Sequence, residues 1–163
     1  MNVKEAVKSQ YLASLEMLRQ AIVTCPDSLW NSSAYRNQYW HIAYHVLFYT
    51  HLYLQPSEED FVPWDKHRDA CRSLGPGPEG AEVREPYSQE EILAYHELCR
   101  AQVEEQVAAL DPEAASGFYW LPFDKLELQF YNIRHIQQHT GELCERLWAA
   151  EGIEVPWVGL GRD

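Results

Sequence analysis

Residues 124–152 read DKLELQFYNIRHIQQHTGELCERLWAAEG. Asp124 can cap a helix, Glu127 follows three residues on, and Gly152 suits a left-handed C-terminal cap, so one helix is predicted over about 124–151. On a wheel at about 100° per residue, Ile133, Ile136, Thr140, Leu143, Cys144 and Leu147 form a core arc. His135 and His139 lie at its margin, about 40° apart by the same spacing, on one strip with Leu128 and Asn132. A long helix with one apolar stripe must bury that stripe against other elements, so the rest of the chain decides the fold.

Three further helical segments supply those partners. The first, over about residues 2–25, starts at Asn2 with Glu5 placed for a capping box, and carries Val7, Tyr11, Leu15, Leu18 and Ile22 at helical spacing. Pro26 ends it. The second, over 34–54, reads AYRNQYWHIAYHVLFYTHLYL and is apolar nearly all round, so it is buried on several sides or used for association. The third, over 88–110, begins with the capping box of Ser88 and Glu91 and places Ile92, Tyr95, Cys99, Val103 and Leu110 on one stripe. Between the second and third helices lies a long connection, with a short helix expected near Asp65–Leu74. A connection of that length is often a functional lid. Its GPGPEG stretch matches G-x-G-x-x-G literally, but no strand precedes it and two prolines delete amide donors, so it is read as a turn. No strand pair and no repeat is evident. The expected fold is all-α, a four-helix bundle with a long connection between helices 2 and 3, forming a single domain over 1–163.

The chain has 163 residues, 46% of them hydrophobic, enough for a packed core. Its formal charge of −12 argues against a nucleic-acid partner and an anionic membrane surface, both of which need a basic face. Cys25, Cys71, Cys99 and Cys144 are scattered, with no C-x-x-C pair. With no apolar leader and no span of about 18 apolar residues, a reduced cytoplasmic protein with buried thiols is expected.

Two imidazoles at i, i+4 can converge on one point, the device of H-E-x-x-H zinc helices, although the central Glu is absent here. Two histidines rarely hold an ion firmly without a third ligand. The second helix offers His45, among Ile42, Val46, Tyr49 and Tyr53 in the middle of one apolar face, and His41, one turn earlier. An imidazole buried there needs a hydrogen bond or an ion. Ordinary hydrogen-bonded core histidines are the competing reading of the same residues.

WHIAYHVL in the second helix and RHIQQHTGEL in the fourth resemble the two signature helices of the DinB/YfiT-like superfamily of metal-binding four-helix bundles. The resemblance extends to helix order and to the long second connection. It implies that His45, His135 and His139 bind a divalent metal, nickel or zinc, with His45 favoured because it closes the stretch Ile42-Ala43-Tyr44-His45. Iron and copper also suit imidazole ligands. Three neutral imidazoles leave coordination positions open, the catalytic arrangement. The resemblance further implies thiol-dependent S-transferase-type chemistry with a low-molecular-weight thiol cosubstrate; hydrolysis of a small molecule is the other enzymatic reading.

Glu142, one turn after His139, could orient a ligand, act as a base or simply be solvated. Trp40, Tyr49, His96, Trp120 and Tyr131 are candidates for a substrate pocket, although aromatics at such spacing are more often core. His51 and His67 are expected at the surface or in a loop. The alternative function is a non-catalytic metal-binding or interaction protein. Its homodimer would use Trp40, Tyr44, Leu47 and His51, on the helix-2 face opposite His45, unless the connection covers them.

Overall fold

A computed structural model describes residues 2–75 and 85–161 of the chain. The described residues are all helical, with no strand and one isolated bridge, Ala115 to Asp124. The helices are α1 (Val3–Thr24), a single short turn α2 (Asp27–Trp30), α3 (Tyr39–Leu54), α4 (Gln89–Ala109) and α5 (Lys125–Glu151). Helix α1 packs on α4 and α5, and α3 packs on the same two, so the four long helices close a square with α1 opposite α3.

The end signals act as expected at α4 and α5, and in part at α1. At α4, Ser88 and Glu91 form both halves of the capping box. At α5, Asp124 accepts from the Glu127 amide at 2.8 Å, and Gly152 closes the helix at φ 67°. At α1, Asn2 accepts from the Lys4 amide at 3.1 Å. The Glu5 half of that box is not seen among the described residues.

Helix α3 starts five residues later than expected. Asn31 and Ser32 hold the preceding segment in turns: the Ser32 hydroxyl accepts from the Ala34 amide, and the Asn31 side chain accepts from the Trp40 indole. Such side-chain bonds compete with a helical backbone.

The connection also departs from expectation. In place of a helix over Asp65–Leu74 it forms one 3-10 turn, Asp69–Cys71. The carbonyls of Cys71 and Arg72 accept from His41 and His45 of α3, which ties this segment to that helix. Beyond Gly75, the GPGPEG stretch lies outside the described residues.

The all-round apolarity of α3 now has its cause. One face lies in the core with Ile42 and Val46, and the connection covers the other. Trp64 stacks on Tyr95 of α4 at 4.6 Å between centroids, and Tyr87 stacks on Tyr44 at 4.7 Å. Phe61 meets the His51 ring edge-on. Each stack adds about 0.5–1.5 kcal/mol beyond the area it buries. Trp40, Tyr44, Leu47 and His51 are therefore interior to the monomer, and of the two outcomes weighed for this face, burial under the connection is the one found. His51 is not a surface residue.

The connector before α5 is strapped to the end of α3 through Gly117, whose carbonyl accepts from the Glu58 amide. Gly117 has φ 84°, and a Cβ there would stand 2.1 Å from the Pro56 carbonyl oxygen, so only glycine fits. Cys25, Cys71 and Cys99 are buried, Cys144 is half-buried, and all four are free thiols. No helix among the described residues is long and apolar enough to cross a membrane.

Candidate metal centre

Helices α3 and α5 lie side by side, and their contact brings three imidazoles together. His135 and His139 project from the margin of the α5 stripe, one turn apart, and His45 faces them from α3. Their ring centroids are 4.8–5.1 Å apart in pairs. One ring nitrogen from each can be chosen so that all three lie within 4.8 Å of one another. The Nε2 atoms of His45 and His135 are 3.1 Å apart. Two ligands bound to one ion at about 2.0–2.1 Å stand roughly 3.0–3.4 Å apart, so this pair is already at the spacing an ion requires.

The outward nitrogens are oriented by acceptors. His45 Nδ1 lies 2.7 Å from the Arg72 carbonyl, which can only accept, so the proton sits on Nδ1 and Nε2 carries a bare lone pair. His139 Nδ1 lies 3.2 Å from a Glu142 carboxylate oxygen, which leaves its Nε2 toward the shared point. The other Glu142 oxygen accepts from Arg146, whose guanidinium also donates to the Asn37 carbonyl at 2.6 Å. This is the carboxylate–histidine arrangement that fixes the tautomer of metal-binding imidazoles. His135 Nδ1 is buried with no partner.

Burial holds two of the three imidazoles in the form a cation needs. Desolvation pushes His45 down to about 4, partly offset by its bond to Arg72, and desolvation with the neighbouring His45 and His139 pushes His135 down to about 3. Both are neutral at pH 7, with lone pairs free to coordinate. The donor set, three converging imidazoles, fits a borderline divalent ion.

The other candidates fall elsewhere. His41 turns away, its Nε2 3.0 Å from the Cys71 carbonyl, and its ring stacks on Trp40. His96 is buried on α4 with Nε2 2.9 Å from the Leu15 carbonyl, a core histidine held by the neighbouring helix α1. His67 lies in the connection and meets the Tyr44 hydroxyl at 2.6 Å. Trp40 is fully buried, its indole N–H shared by Gln38 and Asn31. Of the proposed pocket residues only Tyr49 touches the triad, edge-on to His45 and 5.7 Å from His135. Tyr131 connects to it through Tyr53, and Trp120 stands farther out, packed on Phe118 and 38% exposed.

Sequence reasoning did not include Arg72, Arg146, Asn37 or Tyr53 in the site. Arg146 carried a signal, since it follows Glu142 by one turn and so shares its strip. Arg72 and Asn37 act through backbone carbonyls, which no side-chain pattern announces. No protein-family model, curated protein or solved structure matches the chain.

Proposed function

We propose that this chain is a DinB/YfiT-like four-helix bundle that binds one divalent transition-metal ion through His45, His135 and His139. The ion is nickel or zinc, and the positions left open serve a metal-dependent reaction on a small molecule in a reducing, cytoplasmic setting. The reaction is thiol-dependent S-transfer, with hydrolysis as the runner-up. The observation that carries this reading is the convergence of three imidazoles from two helices, two of them with the outward nitrogen bonded to an acceptor.

A cation held there supplies Lewis acidity, polarising a carbonyl or lowering the pKa of a bound thiol or water. The chain's own residues do the rest. The histidines bind, Arg72 and Glu142 fix two tautomers, and Tyr49 with Tyr53 gives the site an aromatic wall that limits water.

Elemental analysis of protein purified without chelator should find about one equivalent of divalent metal. Reloading with cobalt should give the visible spectrum of a low-symmetry nitrogen site, and a small thiol should perturb that spectrum if positions are open. Protein that neither carries nor takes up metal refutes the reading. A metal-loaded protein that ignores thiols and shows no turnover in a thiol-transfer screen leaves the non-catalytic alternative.

A further inference from the structure

Lys125 opens α5, about 15 Å along the helix from His135, at about 1.5 Å per residue. It is 8% exposed. Its Nζ donates to the Gln55 carbonyl at 2.9 Å and lies 5.3 Å from the Phe118 ring centre. The chain has three other lysines: Lys8 and Lys66 pair with Glu104 and Glu91, and Lys4 donates to the Ala108 carbonyl. Lys125 has no carboxylate at ion-pair distance among the described residues.

An ammonium has three donors, and one acceptor leaves two of them unmatched. Lys125 also lines a cavity of about 240 Å³ walled by Leu54, Pro56, Gln106, Leu110, Ala114 and Gln129. Asp111 reaches the same cavity from its exposed rim, with one oxygen occupied by the Glu113 amide. A buried ammonium without a counter-ion is costly, and the group adapts by giving up its proton. Burial pushes Lys125 down to about 8, against the opposing pull of Asp60.

We propose that Lys125 is a nucleophilic amine for small aldehydes, separate from the histidine cluster. In the step, the neutral amine's lone pair attacks the carbonyl carbon and forms a C–N bond. The carbonyl oxygen takes up the proton that nitrogen loses, and the resulting carbinolamine sheds water to leave a Schiff base. No oxidant or reductant is required. A desolvated lysine beside an apolar cavity is how such amines are activated.

The test is reductive alkylation of the whole protein with propanal and cyanoborohydride from pH 6 to 10, mapped by peptide mass spectrometry. At pH 7 an amine of pKa about 8 is about 10% neutral, against about 0.03% for an ordinary lysine. Lys125 should therefore be propylated at least tenfold faster than Lys4, Lys8 and Lys66, with half-maximal rate near pH 8. Mapping separates it from the α-amino group. K125M should lose only the fast site. Should K125M fold poorly, the wild-type map alone decides. Labelling of Lys125 no faster than at the other lysines, or a midpoint above pH 10, overturns the proposal and leaves Lys125 as a cap on the end of α3. Metal content plays no part in the readout, so this result stands apart from the metal reading.

Discussion

Two groups of histidines in the chain differ in an instructive way. His41 and His96 each rest one ring nitrogen on a single main-chain carbonyl, within a wall of packed residues. His45, His135 and His139 instead turn their nitrogens toward one another, and external acceptors tie back the far side of two of them. In the first group a backbone carbonyl holds each ring by itself, whereas in the second the three rings approach one another closely enough to share one point. Convergence, not burial, marks the candidate site.

The sharpest break in that comparison comes from substitution. His135→Ala should weaken metal binding at least 100-fold by competition with a chromophoric chelator, because two imidazoles rarely retain an ion. His41→Ala should leave the affinity within a fewfold. An equal loss in both variants would erase the distinction between the two classes.

Next in size is the support behind His139. Glu142→Ala should cost about 10–100-fold in metal affinity, and Glu142→Gln less, since the amide still offers an acceptor. Affinity unchanged in Glu142→Ala would reduce Glu142 to a surface ion pair with Arg146.

A smaller effect concerns protons. His45 and His51 are pushed down to about 4 and His135 to about 3, in each case chiefly by desolvation, from the usual value near 6.5. Between those values the unfolded chain binds protons that the folded chain refuses, so stability rises with pH across the window. Metal-free protein should keep full stability above about pH 6.5 and lose it progressively toward pH 4. His51→Asn, outside the triad, should flatten part of that slope in urea titrations at pH 5 and 7. A slope identical to wild type would mean that His51 titrates normally.

The smallest test is local. Ser88→Ala removes the α4 cap and should cost about 1 kcal/mol in urea unfolding, with metal affinity untouched. A change in affinity would show that the far end of α4 is coupled to the histidines.

How much could be read in advance differs by residue. The α1 stripe, Tyr11 to Ile22, and the caps at Ser88, Asp124 and Gly152 are local signals, set by spacing and by side chains that bond their own backbone. The pairing of His135 with His139 belongs to the same class. The start of α3 does not, because Asn31 and Ser32 draw the preceding backbone into turns while the apolar pattern alone runs on to Ala34. The connection was least legible. Its Trp64, Phe61 and Tyr87 are placed by the surface of α3 and α4 that they cover, and that surface exists only once the helices have packed.

By itself the amino-acid order determined the helices, their apolar stripes and the two histidines that share one turn, because periodicity and capping act within a few residues of the backbone. Only the tertiary structure decided that His45 and not His41 faces that pair, that the outer side of α3 is roofed by its own connection, and that Lys125 has no carboxylate at ion-pair distance among the described residues. Each of these depends on which distant groups arrive within bonding distance, and chain spacing does not encode that distance.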